Sequence, residues 1–408
     1  MIFLFVLISI GSIGIDCFVW RQLTPNIIAI TPTFILTLLC ALIGPSLGFS
    51  PLSGDLYQVL SLFFLLGALA SFSIGLLLGP TLMSVRERVT FCATWNVHTD
   101  ILKFFLVVSL FVLVVLVVFT YKKLGNIHDE SFSSALSYGV VGHFFVFLTV
   151  AAPIFLFFKK KIDLMSVVII SLSIILLFLK QVKSWVVIPV LFYALLYYYS
   201  GRMKVWKTIF FKFIFLIIVL CFVFFMIYFI NHLSYSGFQL TMTLVNDSIS
   251  STFTHFLSYL FAGILGLSEL LKTKNIFFDN GNWHYLVLTF SNIFSVIQGN
   301  TPDSAVVDQF FVINEQFSKS SNVFTLWGTL LLRAGWIAFF IYPVLIGILT
   351  AFLVFFRTSL VFFLLFCYAV SFLGIAWFEY YYYHLAVFEG IVIIFLISAL
   401  LHIRVHLA

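Results

Sequence analysis

The chain has 408 residues, of which 63% are hydrophobic and 9% charged, with 54 Phe and a formal net charge of +6. A soluble domain carries about 25% charged residues, so this balance excludes a water-soluble globular protein. The positive balance bears instead on membrane orientation, because Lys and Arg gather on cytoplasmic loops, and it gives no reason to expect nucleic acid as a partner.

Runs of roughly 20 apolar residues follow one another, the length a helix needs to cross about 30 Å of hydrocarbon. Backbone groups inside lipid must be paired within their own segment, which makes each run a helix. The pattern predicts an all-α polytopic membrane protein in a single membrane domain, residues 1–408. About eleven spans are expected: 2–20, 26–48, 57–79, 101–120, 139–158, 163–179, 184–200, 208–231, 335–355, 359–378 and 386–404. The N-terminus, Met1-Ile2-Phe3, has no basic segment and no small-residue cleavage site, so it reads as a retained first helix. The Cys residues, Cys17, Cys40, Cys92, Cys221 and Cys367, have neither CxxC nor metal-ligand spacing, and neither a disulfide framework nor a metal site is expected.

Sidedness follows from the short loops. With the N-terminus outside, the cytoplasmic side receives Arg21, Arg86, Arg88, Lys159, Lys160, Lys161, Arg202, Lys204, Lys207, Lys212, Arg357 and Arg404. The opposite side receives Lys122, Lys123, Lys180 and Lys183, and the reversed arrangement inverts the ratio. The N-terminus is therefore placed outside and the C-terminus inside.

Residues 233–334 stand apart. This stretch carries Asp247, Glu269, Lys272, Lys274, Asp279, Asp303, Asp308, Glu315, Lys319 and Arg333, and it reads as a long outer insert between membrane helices. Loops held by a rigid scaffold tend to carry function. Two of its pieces are apolar. Residues 252–271 form one, and 283–298 place Trp283, Leu286, Phe290, Ile293 and Phe294 on one helical stripe. Either lies at the interface, re-enters or crosses. If only one crosses, the last three spans reverse.

Candidate site residues are cations, acids and aromatics near the outer span ends. Lys180-Gln181-Val182-Lys183 is a tight turn whose two cations suit a phosphate group or, alternatively, anchor to lipid headgroups. Arg333 is flanked by apolar residues at membrane depth, where an arginine is costly and usually paired or functional. Its planar fork suits a diphosphate, the alternative being an interfacial side chain that reaches back to water. In Glu379-Tyr380-Tyr381-Tyr382-Tyr383-His384, His384 with Glu379, or Glu389 a turn beyond, could remove a proton from a sugar hydroxyl. Tyr382 and its neighbours either stack on sugars or form an aromatic belt at the membrane interface. Asp303, Asp308 and Glu315 are candidates for holding sugar hydroxyls, or are solvated loop acids. No HExxH, P-loop, GxSxG or DxD pattern is present, which argues against a soluble nucleotide donor.

Three stretches resemble the Wzy-type O-antigen polymerases, which join oligosaccharide repeat units. They are Lys180-Gln181-Val182-Lys183-Ser184-Trp185-Val186-Val187-Ile188-Pro189 running to Tyr199-Ser200-Gly201-Arg202, Tyr259-Leu260-Phe261-Ala262-Gly263-Ile264, and Ser321-Asn322-Val323-Phe324-Thr325 followed by an apolar run and Gly335. The resemblance covers roughly residues 165–355. The family often has an acid before that last glycine, where this chain has Arg333-Ala334. The resemblance implies a GT-C-like helical architecture with one long periplasmic loop, in the bacterial inner membrane. It implies a metal-independent glycosyltransferase without cofactor. Its partners are undecaprenyl-pyrophosphate-linked oligosaccharide, membrane lipid and a chain-length regulator. In that chemistry Lys180, Lys183 and Arg333 would hold the departing pyrophosphate, His384 and Glu379 would serve the acceptor, and Asp303, Asp308 and Tyr382 would contact sugar. The competing expectations are a flippase for a lipid-linked saccharide and an O-antigen ligase.

Overall fold

A computed structural model of the chain describes residues 1–20, 22–86, 98–125, 130–137, 139–159, 163–180, 184–201, 225, 229, 242–273, 283–301, 303, 310–314, 319–355 and 359–401. It is a polytopic, overwhelmingly helical protein. Among the described residues seven helices are long and apolar enough to cross a membrane, and five shorter apolar helices accompany them. The predicted span 208–231 lies outside the described residues apart from positions 225 and 229. The helices form two compact units, described in turn.

The first unit comprises Met1–Leu82, Lys212–Val354 and Phe372–His384. It opens with α1 (Ile2–Trp20), α2 (Pro25–Ile43) and α3 (Gly54–Arg86). The start of α2 is set locally: Thr24 Oγ1 accepts from Ile27 N at 3.1 Å and Pro25 occupies the first turn, where its missing N–H costs nothing. Asp16 is fully buried on α1. Its Oδ2 accepts from Asn26 Nδ2 at 2.8 Å, and Asn26 Oδ1 accepts from the Tyr342 hydroxyl at 2.9 Å. A side chain on Gly67 would collide with this chain of bonds, since its Cβ would lie 2.2 Å from Asn26 Oδ1.

The insert is more regular than a loop. Residues 252–271 belong to a 32-residue helix, α9 (Met242–Thr273), ninth in chain order among the described α-helices. Gly263 and Gly266 let its backbone approach others closely: a Cβ would lie 2.4 Å from Trp377 O and 2.2 Å from Val323 O, respectively. Phe261 on α9 meets Phe49 edge-on at 5.7 Å, in an apolar cluster with Cys40, Leu257, Leu265 and Ile313. A 3-10 turn at Trp283–Val287 and the short helix α10 (Leu288–Ile297) follow. Of the two apolar pieces of the insert, length qualifies the first alone to cross.

The expectation of a purely helical chain is amended by a small antiparallel pair, β1 (Phe311–Asn314) and β2 (Lys319–Ser321). The pair is pinned to the end of α2 by Ser50 N donating to Ile313 O at 3.1 Å and Asn314 Nδ2 donating to Leu47 O at 3.0 Å. Beyond it run α11 (Leu326–Ala334) and α12 (Ala338–Phe355). The predicted span 335–355 therefore begins earlier in apolar helix, at Leu326.

The second unit comprises Met83–Phe211, Phe355–Ser371 and Leu385–Ala408. Its helices are α4 (Asp100–Leu124), α5 (Glu130–Ser137), α6 (Gly139–Phe158), α7 (Leu164–Leu179), α8 (Ser184–Tyr199), α13 (Leu360–Leu373) and α14 (Leu385–Leu400). Between α6 and α7, Asp163 caps α7 by accepting from Ser166 N at 2.7 Å and from the Ser166 hydroxyl at 2.5 Å. Those bonds, with Lys159 at 3.4 Å and Lys103 at 3.7 Å, hold its carboxyl far below the usual value. Pro153 and Pro189 interrupt α6 and α8, as membrane helices tolerate.

Candidate functional site

In the first unit α11 delivers Arg333. Thr325 Oγ1 caps the helix by accepting from Gly328 N at 3.0 Å, Leu326 N donates to Ala376 O at 2.7 Å, and Gly335 ends the helix with φ of +54°. The backbone is thus fixed at both ends and Arg333 projects from the last turn, half-buried. Its guanidinium carbon lies 4.1 Å from the centroid of Tyr285, on the 3-10 turn. Such stacking contributes about 0.5–2 kcal/mol and leaves the N–H edge available to a planar anion. Among the described residues no carboxylate forms an ion pair with Arg333.

The segment between α13 and α14 closes on the same 3-10 turn. Thr289 Oγ1 donates to Tyr383 O at 2.9 Å and the Tyr380 hydroxyl donates to Leu286 O at 3.4 Å. Tyr380, Tyr381 and Tyr383 are buried, so they are packing residues of this corner and not rings of an exposed belt. Tyr382 is half-buried against Phe372 and Tyr380, at ring distances of 5.9 and 5.5 Å.

Glu379 is the hub. Its Oε1 accepts from the Tyr383 hydroxyl and lies 3.3 Å from His384 Nε2. The His384 ring stacks on Tyr383 at 4.3 Å. Burial alone would raise the Glu379 carboxyl. The His384 bond and charge, then the bonds from Tyr383 and Tyr381, outweigh it and hold the carboxyl below its usual value. Burial pushes Tyr383 well above the ordinary tyrosine range, Glu379 adding to the rise, while Arg333 opposes it. Burial likewise lifts Tyr380 to about 12 and, with Tyr380 beside it, raises Tyr382. These phenols are donors at neutral pH. Within Glu379–His384 the carboxylate–imidazole pair is the proton acceptor among the described side chains, and a second imidazole, His284, lies on the adjoining 3-10 turn.

The remaining expected residues fall elsewhere. Asp303 is exposed, with Oδ2 3.7 Å from His284 Nε2, and its backbone is held by Asn292. Asp308, Glu315 and Lys183 lie outside the described residues. Lys180 belongs to the second unit and is enclosed, at 2% exposure. Its Nζ sits 3.8 Å from the Trp185 ring and 5.3 Å from that of Phe145, and burial lowers its amine to about 8, partly opposed by Glu389. Glu389 Oε1 in turn meets His143 Nδ1 at 2.9 Å. Lys180 is therefore not a freely solvated cation.

Sequence reasoning missed Tyr285, Thr289 and the pairing of His143 with Glu389. Tyr285 was hidden because residues 283–298 were treated as one helix, whereas 283–287 wind as a 3-10 turn that places Tyr285 differently.

The pattern of a family described as "Family of unknown function (DUF6337)" matches residues 55–407. No curated protein and no solved structure matches the chain significantly.

Proposed function

The chain belongs to DUF6337, a family of unknown function, and on that premise we propose from its site that it is a lipid-linked repeat-unit polymerase. The reaction is transfer of a glycan from undecaprenyl pyrophosphate to a hydroxyl of a second lipid-linked oligosaccharide, at the outer face of the bacterial inner membrane, with the N-terminus outside. The bond from the anomeric carbon to the pyrophosphate oxygen breaks and one to the acceptor oxygen forms. The acceptor proton passes to the enzyme, and the lipid pyrophosphate leaves.

One observation carries the reading. A guanidinium without a carboxylate partner among the described residues stands beside the same 3-10 turn that anchors a carboxylate–imidazole pair. Arg333 supplies the charge that stabilises a departing diphosphate, and catalysis of this kind rests mostly on such fixed charge. With its hydrogen on Nε2 and directed to Glu379, His384 offers Nδ1 to the acceptor hydroxyl, and Glu379 fixes that tautomer. The mostly apolar scaffold suits two membrane-bound substrates. Lys180 and Lys183 keep a part only as second-unit residues, and a chain-length regulator stays a proposed partner.

One observation favours the flippase alternative: the buried Asp16–Asn26–Tyr342 chain within apolar helices, since ionisable groups there often mark transport paths. Lipopolysaccharide banding of a deletion strain separates the readings. A single repeat unit on the lipid core supports the polymerase, bare core with lipid-linked polymer indicates a ligase, and repeat units trapped on the inner side indicate a flippase.

A further inference from the structure

Helix α10 has its polarity turned inside out. On one side of the helix Leu288 and Thr289 are buried and Asn292 and Ser295 half-buried, while Val296 beside them, near the helix end, is exposed. Thr289 is tied to the Tyr383 carbonyl at 2.9 Å. Asn292 makes a reciprocal pair with the Asp303 backbone, donating through Nδ2 to Asp303 O and accepting through Oδ1 from Asp303 N, both at 2.9 Å. The other side carries Phe290, Ile293, Phe294 and Ile297, exposed at 48%, 48%, 63% and 74%. A helix lying on a water-soluble surface does the reverse, burying its apolar stripe and wetting its hydrogen-bonding residues. Here Thr289 and Asn292 are bonded to the protein and the apolar stripe is left outward.

What covers that stripe is indicated by its neighbours in the same unit. The 3-10 turn leading into α10 packs on α11, through Tyr285 beneath Arg333. Past Gly335 the chain continues through Trp336 and Ile337 into α12, and these two with Phe340, Val344 and Ile348 of α12 are apolar and exposed along a segment long enough to cross a membrane. The turn that leads into α10 thus packs on the helix that runs into this exposed apolar face. At ten residues the helix is too short to cross. Its length, its apolar stripe and its lack of charged residues fit a helix seated at the boundary between headgroups and acyl chains.

The geometry points to α10 as a membrane-interface helix, its Phe290–Ile293–Phe294–Ile297 face immersed in phospholipid and its opposite face clamped to the Tyr381–Tyr383 corner. It holds the rim of the candidate site at the bilayer surface, where a lipid-borne group could pass laterally. The placement does not depend on the glycosyl transfer proposed above.

The test uses the full-length protein in vesicles of phosphatidylethanolamine and phosphatidylglycerol, with no polyprenyl lipid present. Phe294 is replaced by the photoreactive residue p-benzoylphenylalanine, and the products of irradiation are weighed by mass spectrometry. Phospholipid adducts are expected to dominate, several-fold above those formed by the same residue at Ser291, on the protein-facing side. A dominant cross-link to a second copy of the chain would overturn the placement by making this face a dimer contact. Absence of lipid adducts at Phe294 and also at Phe290 and Ile297 would overturn it by placing the face in water or protein. If the Phe294 variant does not accumulate, the other two positions carry the same test.

Discussion

Replacing Arg333 by Lys keeps the charge and removes the planar fork that lies over Tyr285. Arg333→Lys and Arg333→Ala are expected to lower chain elongation by about 10²-fold, the usual loss when a charge-stabilising donor is removed. A ladder assay on a synthetic lipid-pyrophosphate repeat unit reads this, and normal ladders from either variant would remove Arg333 from the mechanism. Glu379 sets a pH expectation. Its folded carboxyl lies below its ordinary value of 4.5, so the stability it lends is complete above that value and is lost as pH falls through the lower, folded one. The melting temperature of the detergent-solubilised protein should therefore drop on acidification below about 4.5, and Glu379→Gln should flatten that limb. Lys180 has the opposite consequence. Its folded amine titrates near 8 against an ordinary 10.5, so the unfolded chain binds more protons in between and stability rises with pH across that window. Lys180→Met should abolish the rise, and a wild-type curve flat from 8 to 10.5 would refute the enclosure seen at Trp185 and Phe145. At this scale the sequence was legible in kind. Arg333, Glu379 and His384 stand out because charge is scarce in so apolar a chain. That Glu379 serves His384 while Glu389 serves His143 could not be read, because both acids flank His384 in sequence and only the fold separates them.

At the scale of elements, the corner depends on α9 lying flush against two strips of backbone. Gly266→Val would drive a side chain into Val323 O, and Gly263→Val into Trp377 and Phe378 O, atoms of main chain that cannot rotate away. Overpacking of this kind costs about 1–3 kcal/mol. Both variants are expected to melt earlier and to lose elongation together, whereas Gly11→Ala, with nothing near its added Cβ, should do neither. Thermal unfolding followed beside the ladder assay tests this. Most helices were legible from their apolar runs because lipid demands long uninterrupted ones. The insert was not. Thr252–Leu271 was only the apolar middle of a helix that starts at Met242, since its polar first turns carry no hydrophobic signal. The 3-10 turn at Trp283–Val287 and the pairing of β1 with β2 arise from tertiary contacts with α11 and Leu47, which no local pattern encodes.

For the whole molecule, membrane residence was fixed by composition alone, while the number and sense of crossings was not. Among the described residues seven helices are long enough to cross and five apolar helices are shorter, beside the roughly eleven spans expected, of which 208–231 lies almost wholly outside those residues. The charge count assumed that neither or both apolar pieces of the insert cross; length qualifies the first to cross, and if it alone does so the last three spans reverse and the corner faces the cytoplasm. A sidedness measurement follows: phosphatase fusions after Ala262 in α9 and after His384 are expected to be active if the candidate corner faces outward, and an inactive fusion after His384 would move the proposed chemistry to the cytoplasm.

The hydroxyl of Tyr342 reaches Asn26 across 316 residues of chain. Synthesised at about 5–20 residues per second, the ribosome delivers that phenol roughly 15–60 s after the asparagine has emerged. During this interval Asn26 lacks that partner, and the newborn helices must wait, shielded by the insertion machinery or by transient neighbours. The bond from Tyr342 is then a latch thrown near the end of manufacture. A ribosome stalled before α12 would leave its first helices open to quality-control proteases that finished copies resist.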